Sequence, residues 1–480
     1  MEVKVISCTF SDLINTYNKA ILGTDIKGQL SIPEYQRPYV WKEKQINRIL
    51  DDLIEHKKNT DSGKSLFYLG SIIVHQDGNK LKIIDGQQRI TTMLLINSIV
   101  DKTFKSGIEY TSTISINNIK NNYAYLKSVY SKDIFNYAHV ELNFNNFFNE
   151  VNVTLVVTST EDLAYTFFET QNTGGVRLSG SDIIKAHHLR AVKSKKIINH
   201  QAKKWESIES ERIEYIIQNL SKIRFWDNRN WRDFPFYRDE KGIKSVLIEE
   251  FTENTKHDFD DVSYYYSVVK IENGRVLQMH ESHYKQLKQP LSDGNNTLDY
   301  INDYVGLHEI LFNGIKKDYR ISDDFYKLTI GLMHGHSGTL FLKELLEIFI
   351  ITYVSRFGFF RLFEVSLWFY RSIYSLRVSN KRNVKEDSVH KFVRENKFID
   401  SIVYAYTIDE LVSVLRKFKY NFDTSNTEKN QSKYKHLETL KNYFQEFKEI
   451  NTYVEQPKDF DKTFMIAIFN KIKEEKANEK

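Results

Sequence analysis

Where an apolar strand-like run gives way to an apolar helical one, the chain places Asp85-Gly86-Gln87-Gln88-Arg89. Three long polar side chains at such a junction suit the binding of phosphate. The unpaired amides of a helix start, the positive end of its dipole and a nearby guanidinium all attract an anion. Gly86 lets the backbone turn tightly there or come close to a ligand. An ordinary polar turn with a Thr as helix cap accounts for the same residues about equally well. Two further candidate stretches are Gln36-Arg37, between Pro33 and Pro38, and the glycine-rich run from Asn172 to Asp182.

These residues need elements to hold them. Tyr68–His75 and Lys80–Ile84 read as strands around a hairpin turn at Asp77-Gly78-Asn79-Lys80, and a helix is expected from about Thr91 to Val100. Upstream, Ser11-Asp12 opens a short helix carrying Leu13, Ile14, Tyr17 and Ile21, with Gly23 as its stop. Pro33 and Pro38 keep Ser31–Trp41 extended, with Gln36-Arg37 on a stiff segment; Arg37 as a plain surface residue is the alternative. Ile46, Ile49, Leu50, Leu53 and Ile54 mark a helix ending near Lys58. Downstream come a helix over Ile119–Tyr130, a strand over Val151–Val157 and a short helix over Leu163–Thr170. After the glycine-rich run, Ser179 or Ser181 can cap a helix through Ile183, Ile184 and Leu189.

A basic run follows: Lys185, Arg190, Lys193, Lys195, Lys196, Lys203 and Lys204, with no acid between Asp182 and Glu206. It reads either as a solvated helix face or as a contact for nucleic-acid phosphates. Beyond Trp205 the pattern changes to long helices, among them Leu340–Tyr353 and Phe357–Leu376. Lys222–Arg238 interleaves Arg224, Arg229, Arg232 and Arg238 with Phe, Trp and Tyr. That mixture suits base stacking on Trp226 or Trp231, and equally an aromatic-packed domain junction. The division expected is 1–205, 206–425 and 426–480, in an α+β chain whose small N-terminal domain precedes a large, mainly helical C-terminal region.

Composition narrows the classes. With 41% hydrophobic and 27% charged residues over 480 positions, the chain has ample core and is expected to be globular. Its net charge of +5 is too small to argue for nucleic acid without local clustering. Cys8 is the sole cysteine, which excludes an intramolecular disulfide and Cys-based zinc sites and suits a cytoplasmic location. No apolar run is long enough to span a bilayer, so no membrane partner is expected. Walker-type and Rossmann glycine loops, HExxH and a recognisable HNH pattern are absent, and the close His pairs lack a third ligand.

Three motifs stand in order: Ile-Pro-Glu-Tyr-Gln-Arg-Pro-Tyr-Val-Trp at 32–41, Ile-Asp-Gly-Gln-Gln-Arg-Ile-Thr-Thr at 84–92, and Phe-Glu-Thr-Gln-Asn-Thr-Gly-Gly-Val-Arg-Leu-Ser-Gly-Ser-Asp-Ile-Ile-Lys at 168–185. The triple closely resembles the N-terminal domain family of GmrSD-type, modification-dependent restriction systems, a domain also carried by the SspE and BrxU defence proteins. The resemblance implies a ParB/sulfiredoxin-like fold that binds and hydrolyses a nucleoside triphosphate (NTP). It implies nucleotide-binding roles for Gln36, Arg37, Gly86, Gln87, Thr91, Asn172 and Lys185, and catalytic roles for Asp85, Gln88 and Arg89. Arg89 would stabilise charge developing on phosphoryl oxygens. Asp85 would hold Mg²⁺ or orient a water, since a bare carboxylate aimed at phosphate would repel it. Lys193, Lys195, Lys196, Arg229 and Arg232 are the expected DNA contacts. The family's usual HNH nuclease module is absent, which points to a nuclease partner subunit and leaves homo-oligomerisation open. The reading is therefore an NTP-hydrolysing subunit that senses modified phage DNA. The alternatives are a stand-alone nuclease or toxin-like effector, and a non-catalytic, nucleotide-switched interaction protein.

Overall fold

Runs of β-branched residues build the sheet of the first part of the chain. In the computed structural model, which describes residues 3–59, 66–100, 104, 106–131, 147–161, 163–164, 179–255, 262–314, 317–335, 339–381 and 383–478, two units separate at Ile208/Glu209. The first unit contains, in chain order, β1 (Val3–Thr9), α1 (Phe10–Ile14), β2 (Gln29–Ser31), α2 (Glu43–Asn59), β3 (Phe67–Asp77), β4 (Lys80–Asp85) and α3 (Gln87–Val100). There follow α4 (Thr113–Ser131), α5 (Phe147–Glu150), β5 (Val151–Thr158), α6 (Gly180–Ala191) and α7 (Lys195–Glu206). The sheet order is β1-β5-β3-β4-β2, with β3 parallel to β5, β2 parallel to β4, and the other pairs antiparallel. One face packs Ile72, Val74, Leu81, Ile83, Val153 and Leu155 against Ile46, Ile49 and Leu53 of α2 and Ile90, Met93 and Leu94 of α3. The fold class is α+β.

Two sequence expectations change here for local reasons. α1 begins at Phe10, capped by Thr9, and ends at Ile14 instead of running to Ile21. Asn15 Nδ2 donates to Ser11 O and Thr16 Oγ1 to Leu13 O, side-chain bonds that compete with a further helical turn. The Pro33–Pro38 stretch is not extended throughout, because Gln36 N donates to Pro33 O at 3.0 Å and closes a turn. The cap at Ser179 is present, its side chain accepting from Asp182 N.

The second unit is mainly helical: α8 (Ser210–Phe225), α9 (Glu240–Ile248), α10 (Asn295–Phe312), α11 (Asp323–Leu328), α12 (Leu340–Phe357) and α13 (Leu362–Ser379). It continues with α14 (Glu386–Asn396), α15 (Phe398–Tyr404), α16 (Ile408–Lys417), α17 (Ser432–Tyr443), α18 (Ile450–Glu455) and α19 (Pro457–Asn478). α12 and α13 are buried on nearly every side, as all-round apolar helices must be. A hairpin, β6 (Tyr265–Glu272) and β7 (Arg275–Lys285), interrupts the helices and was not expected from the sequence. No helix is long and apolar enough to cross a membrane among the described residues.

Candidate functional site

The β4–α3 junction is shaped by two bulges. Between Tyr68 and Gly70 the β3–β5 register slips, and between Ile73 and Val74 the β3–β4 register slips, so Leu69 and Ile84 are each left without a ladder partner. The motif side chains take the freed carbonyls. Gln36 Nε2 donates to Ile84 O at 2.8 Å. Arg89 reaches back over Gly70, Nη1 donating to Leu69 O at 3.2 Å and Nη2 to Ser71 O at 2.7 Å. Nη2 also meets Asp85 Oδ2 at 3.0 Å. Gly70, at φ +111°, is required there, since a Cβ would lie 2.2 Å from Arg89 Nη1.

Gln88 is equally occupied. Its Oε1 accepts from Val40 N at 2.9 Å and Trp41 N at 3.3 Å, while Nε2 donates to Pro38 O at 3.0 Å. With Asn118, Asn122 and Ser115 bonding the backbone of Tyr39 and Trp41, this fixes the whole of residues 38–41. Both ends of the Gln88 amide are bonded inside the fold, where it braces this segment. Arg89 keeps unused N–H groups, but its fixed bonds are structural.

The helix starts at Gln87 and not near Thr91. Gly86, at φ +91°, takes the cap position, and Ile90 N donates to Gly86 O at 2.9 Å. Gln and Arg are good helix formers, so nothing opposes the earlier start. Thr91, expected at the nucleotide, is 2% exposed and its hydroxyl bonds Tyr110 at 2.8 Å, which makes it a core residue.

What remains available is specific. The N–H groups of Gln87, Gln88 and Arg89 have no hydrogen-bond partner among the described residues. Gln87 is 5% exposed and its Oε1 is a buried acceptor without a partner. Arg37 lies between Gln36, bonded to Ile84, and Pro38, bonded to Gln88, so its backbone is pinned beside the junction. Its half-buried guanidinium has neither hydrogen bond nor ion pair among the described residues. Asp85 has one carboxylate oxygen on Arg89 and the other without a partner among the described residues, which suits it to hold a cation.

The other expected residues fall elsewhere. Asn172 lies outside the described residues, as does most of the Leu163–Thr170 helix. Lys185 is 2% exposed and paired with Glu206 at 3.1 Å, an internal tie between α6 and α7. Lys193, Lys195 and Lys196 are exposed at the start of α7. In the second unit, Arg229 is exposed and lies 4.4 Å over the Tyr404 ring. Arg232 is corrected as a free DNA contact: it pairs with buried Glu250 at 2.7 Å and covers the Phe225 ring. Trp226 is 2% exposed, so the aromatic run is mostly packing, with Trp231 stacked beside it. Sequence reasoning missed Gly70, whose signal was a lone glycine inside a strand pattern.

Residues 197–433 match a family of unknown function, DUF7834. No curated protein matches the chain. The description "GmrSD restriction endonuclease, N-terminal domain" matches residues 12–189, which include Arg37, both bulges and the helix start. Residues 12–189 thus carry a domain similar to the GmrSD N-terminal domain family, which supports a restriction-related protein.

Proposed function

We propose that this protein is the NTP-hydrolysing, DNA-sensing subunit of a GmrSD-like, modification-dependent (type IV) anti-phage restriction system in the cytoplasm, acting with a nuclease on a partner chain. The observation that carries the proposal is the helix start of α3, with three unpartnered amides, and next to it the pinned backbone of Arg37, whose guanidinium has no counter-ion among the described residues. A triphosphate supplies the acceptors these donors lack. Gln87 fits the same ligand. With its oxygen inward it accepts from a ribose hydroxyl or a base amino group; turned over, its amide donates to phosphate. Asp85 fits Mg²⁺, which commonly needs only one or two carboxylates beside substrate phosphates. Bound there, Mg²⁺ would supply neutralisation of phosphate charge. The chain's own residues do the rest: Arg37 binds and orients the phosphates, the α3 amides hold their oxygens, and Gln36, Gln88 and Arg89 keep the cradle rigid. The exposed Lys193, Lys195 and Lys196 supply a cationic contact for the DNA backbone.

A second reading, a nucleotide-switched protein without turnover, is favoured by the internal bonding of Gln88, which ties up both ends of the amide expected to act in catalysis. The full chain is incubated with each of the four NTPs, with and without modified phage DNA, and phosphate and nicks are measured. Phosphate release without nicking is the expected result. Binding without release selects the switch, and nicking by the lone chain overturns both.

A further inference from the structure

We propose that a cavity in the second unit, formed by the residues after β7, the last turn of α12 and the end of α15, binds a phosphate group of a nucleotide. This deepens the reading that the protein senses nucleic acid and rests on it. The cavity measures about 220 Å³, and its walls include Tyr264, Leu287, Lys288, Gln289, Arg356 and Val403. Pockets that enclose a whole small molecule run to roughly 300–1,000 Å³, so this one takes one end of a ligand.

Two groups of the wall, Arg356 and Gln289, keep donor capacity that the described residues do not satisfy. Arg356 is half-buried, donates to Ala405 O at 3.0 and 3.3 Å and lies 3.3 Å over the Tyr266 ring. It has no carboxylate within ion-pair distance among the described residues; Glu410, the nearest acid felt by it, accepts from Tyr406 N at 2.9 Å. A half-desolvated cation without a counter-ion favours an anion beside it. Gln289 is 3% exposed, and its Oε1 accepts from Tyr264 N at 2.8 Å. That bond fixes the amide's orientation and leaves Nε2 a buried donor with no partner. Lys288 is compensated by Asp227 at 3.1 Å and Asp400 at 3.4 Å, so the excess charge belongs to Arg356.

The rim identifies the rest of the ligand. Tyr264, in the wall, is 46% exposed, and Tyr406, next in the chain to the Ala405 that Arg356 holds, is 76% exposed. Flat, accessible rings beside an oxyanion site are what a nucleotide uses, its phosphate inside and its base stacked outside.

The test is fluorescence anisotropy of a labelled thymidine oligonucleotide with the full chain, with dTMP and inorganic phosphate as competitors. Gln289→Glu keeps the acceptor for Tyr264 N but sets a carboxylate against the phosphate, and Arg356→Gln removes the unpaired charge. Each is expected to weaken binding about tenfold or more, the size of one charge-assisted hydrogen bond. Stronger binding of the strand than of dTMP identifies nucleic acid as the source of the phosphate, and equal binding identifies a free nucleotide. Wild-type affinity in the folded variants, or no binding of any of the three probes by the wild type, overturns the proposal. If Arg356→Gln fails to fold, the isosteric Gln289→Glu decides alone. NTP binding is measured in parallel: its absence would undo the reading of the β4–α3 junction, and a tenfold loss of strand binding in Gln289→Glu would still leave the cavity assignment standing.

Discussion

Gly70→Ala should destabilise the first unit, and the same change should cost much less where Arg89 is already absent. The new Cβ would sit 2.2 Å from Arg89 Nη1, on a backbone at φ +111°. An L-residue in this region costs roughly 1–2 kcal/mol. Displacing the guanidinium also breaks its bonds to Leu69 O and Ser71 O and its pair with Asp85. Hydrogen bonds from charged groups contribute about 1.5–3 kcal/mol each. The Arg89 side chain is 24% exposed, so the lower end applies, and the Asp85 pair adds little. Arg89→Ala should therefore cost about 3 kcal/mol and Gly70→Ala about 4–5 kcal/mol. The double variant should lie near Gly70→Ala alone, a coupling of about 2–3 kcal/mol. Urea denaturation gives the free energies, and hydrogen exchange over residues 67–85 assigns the transition to this unit. Additivity within about 0.5 kcal/mol would show that Arg89 does not hold the bulge.

Gln88→Ala should lower stability by about 2–3 kcal/mol in the same assay, because Val40 N and Pro38 O both lose their partner. Stability should fall as pH drops from about 6.5 to 4. Burial, and then the Lys222 charge, depress the His390 pKa to about 4, so the unfolded chain takes up a proton there that the folded one does not. Melts across that range should slope in wild type, and less so in His390→Phe. Changing Lys193, Lys195 and Lys196 to Glu should flatten the salt dependence of duplex binding, read from affinities at several salt concentrations.

Local patterns carried much of the first unit. The β3–β4 hairpin, α2, β5 and the Ser179 cap are legible because alternation, helical periodicity and capping chemistry are short-range signals. The β1–β5 pairing joins Val3 to Thr158 and has no local signature. The start of α3 was placed too late because long polar side chains were read as loop, although Gln and Arg favour helix and Gly86 supplies the cap. Asn273-Gly274, both at positive φ, is a strong hairpin signal that the surrounding helical reading obscured. At the candidate site, the sequence marks Gln36, Gln88 and Arg89 as important without saying why. Only the bulges, which free Leu69 O and Ile84 O, show that such residues brace the junction, leaving Arg37 and the Gln87 Oε1 unpartnered among the described residues.

Isothermal titration of each NTP, with Mg²⁺, into the full chain and into Arg37→Ala tests the central claim most directly. Arg37 makes no hydrogen bond or ion pair among the described residues, so its removal should leave the melting temperature unchanged. At least one NTP should bind the wild type, and bind Arg37→Ala weaker by about tenfold or more. Equal affinity in the two proteins, or no NTP bound by either, would contradict it.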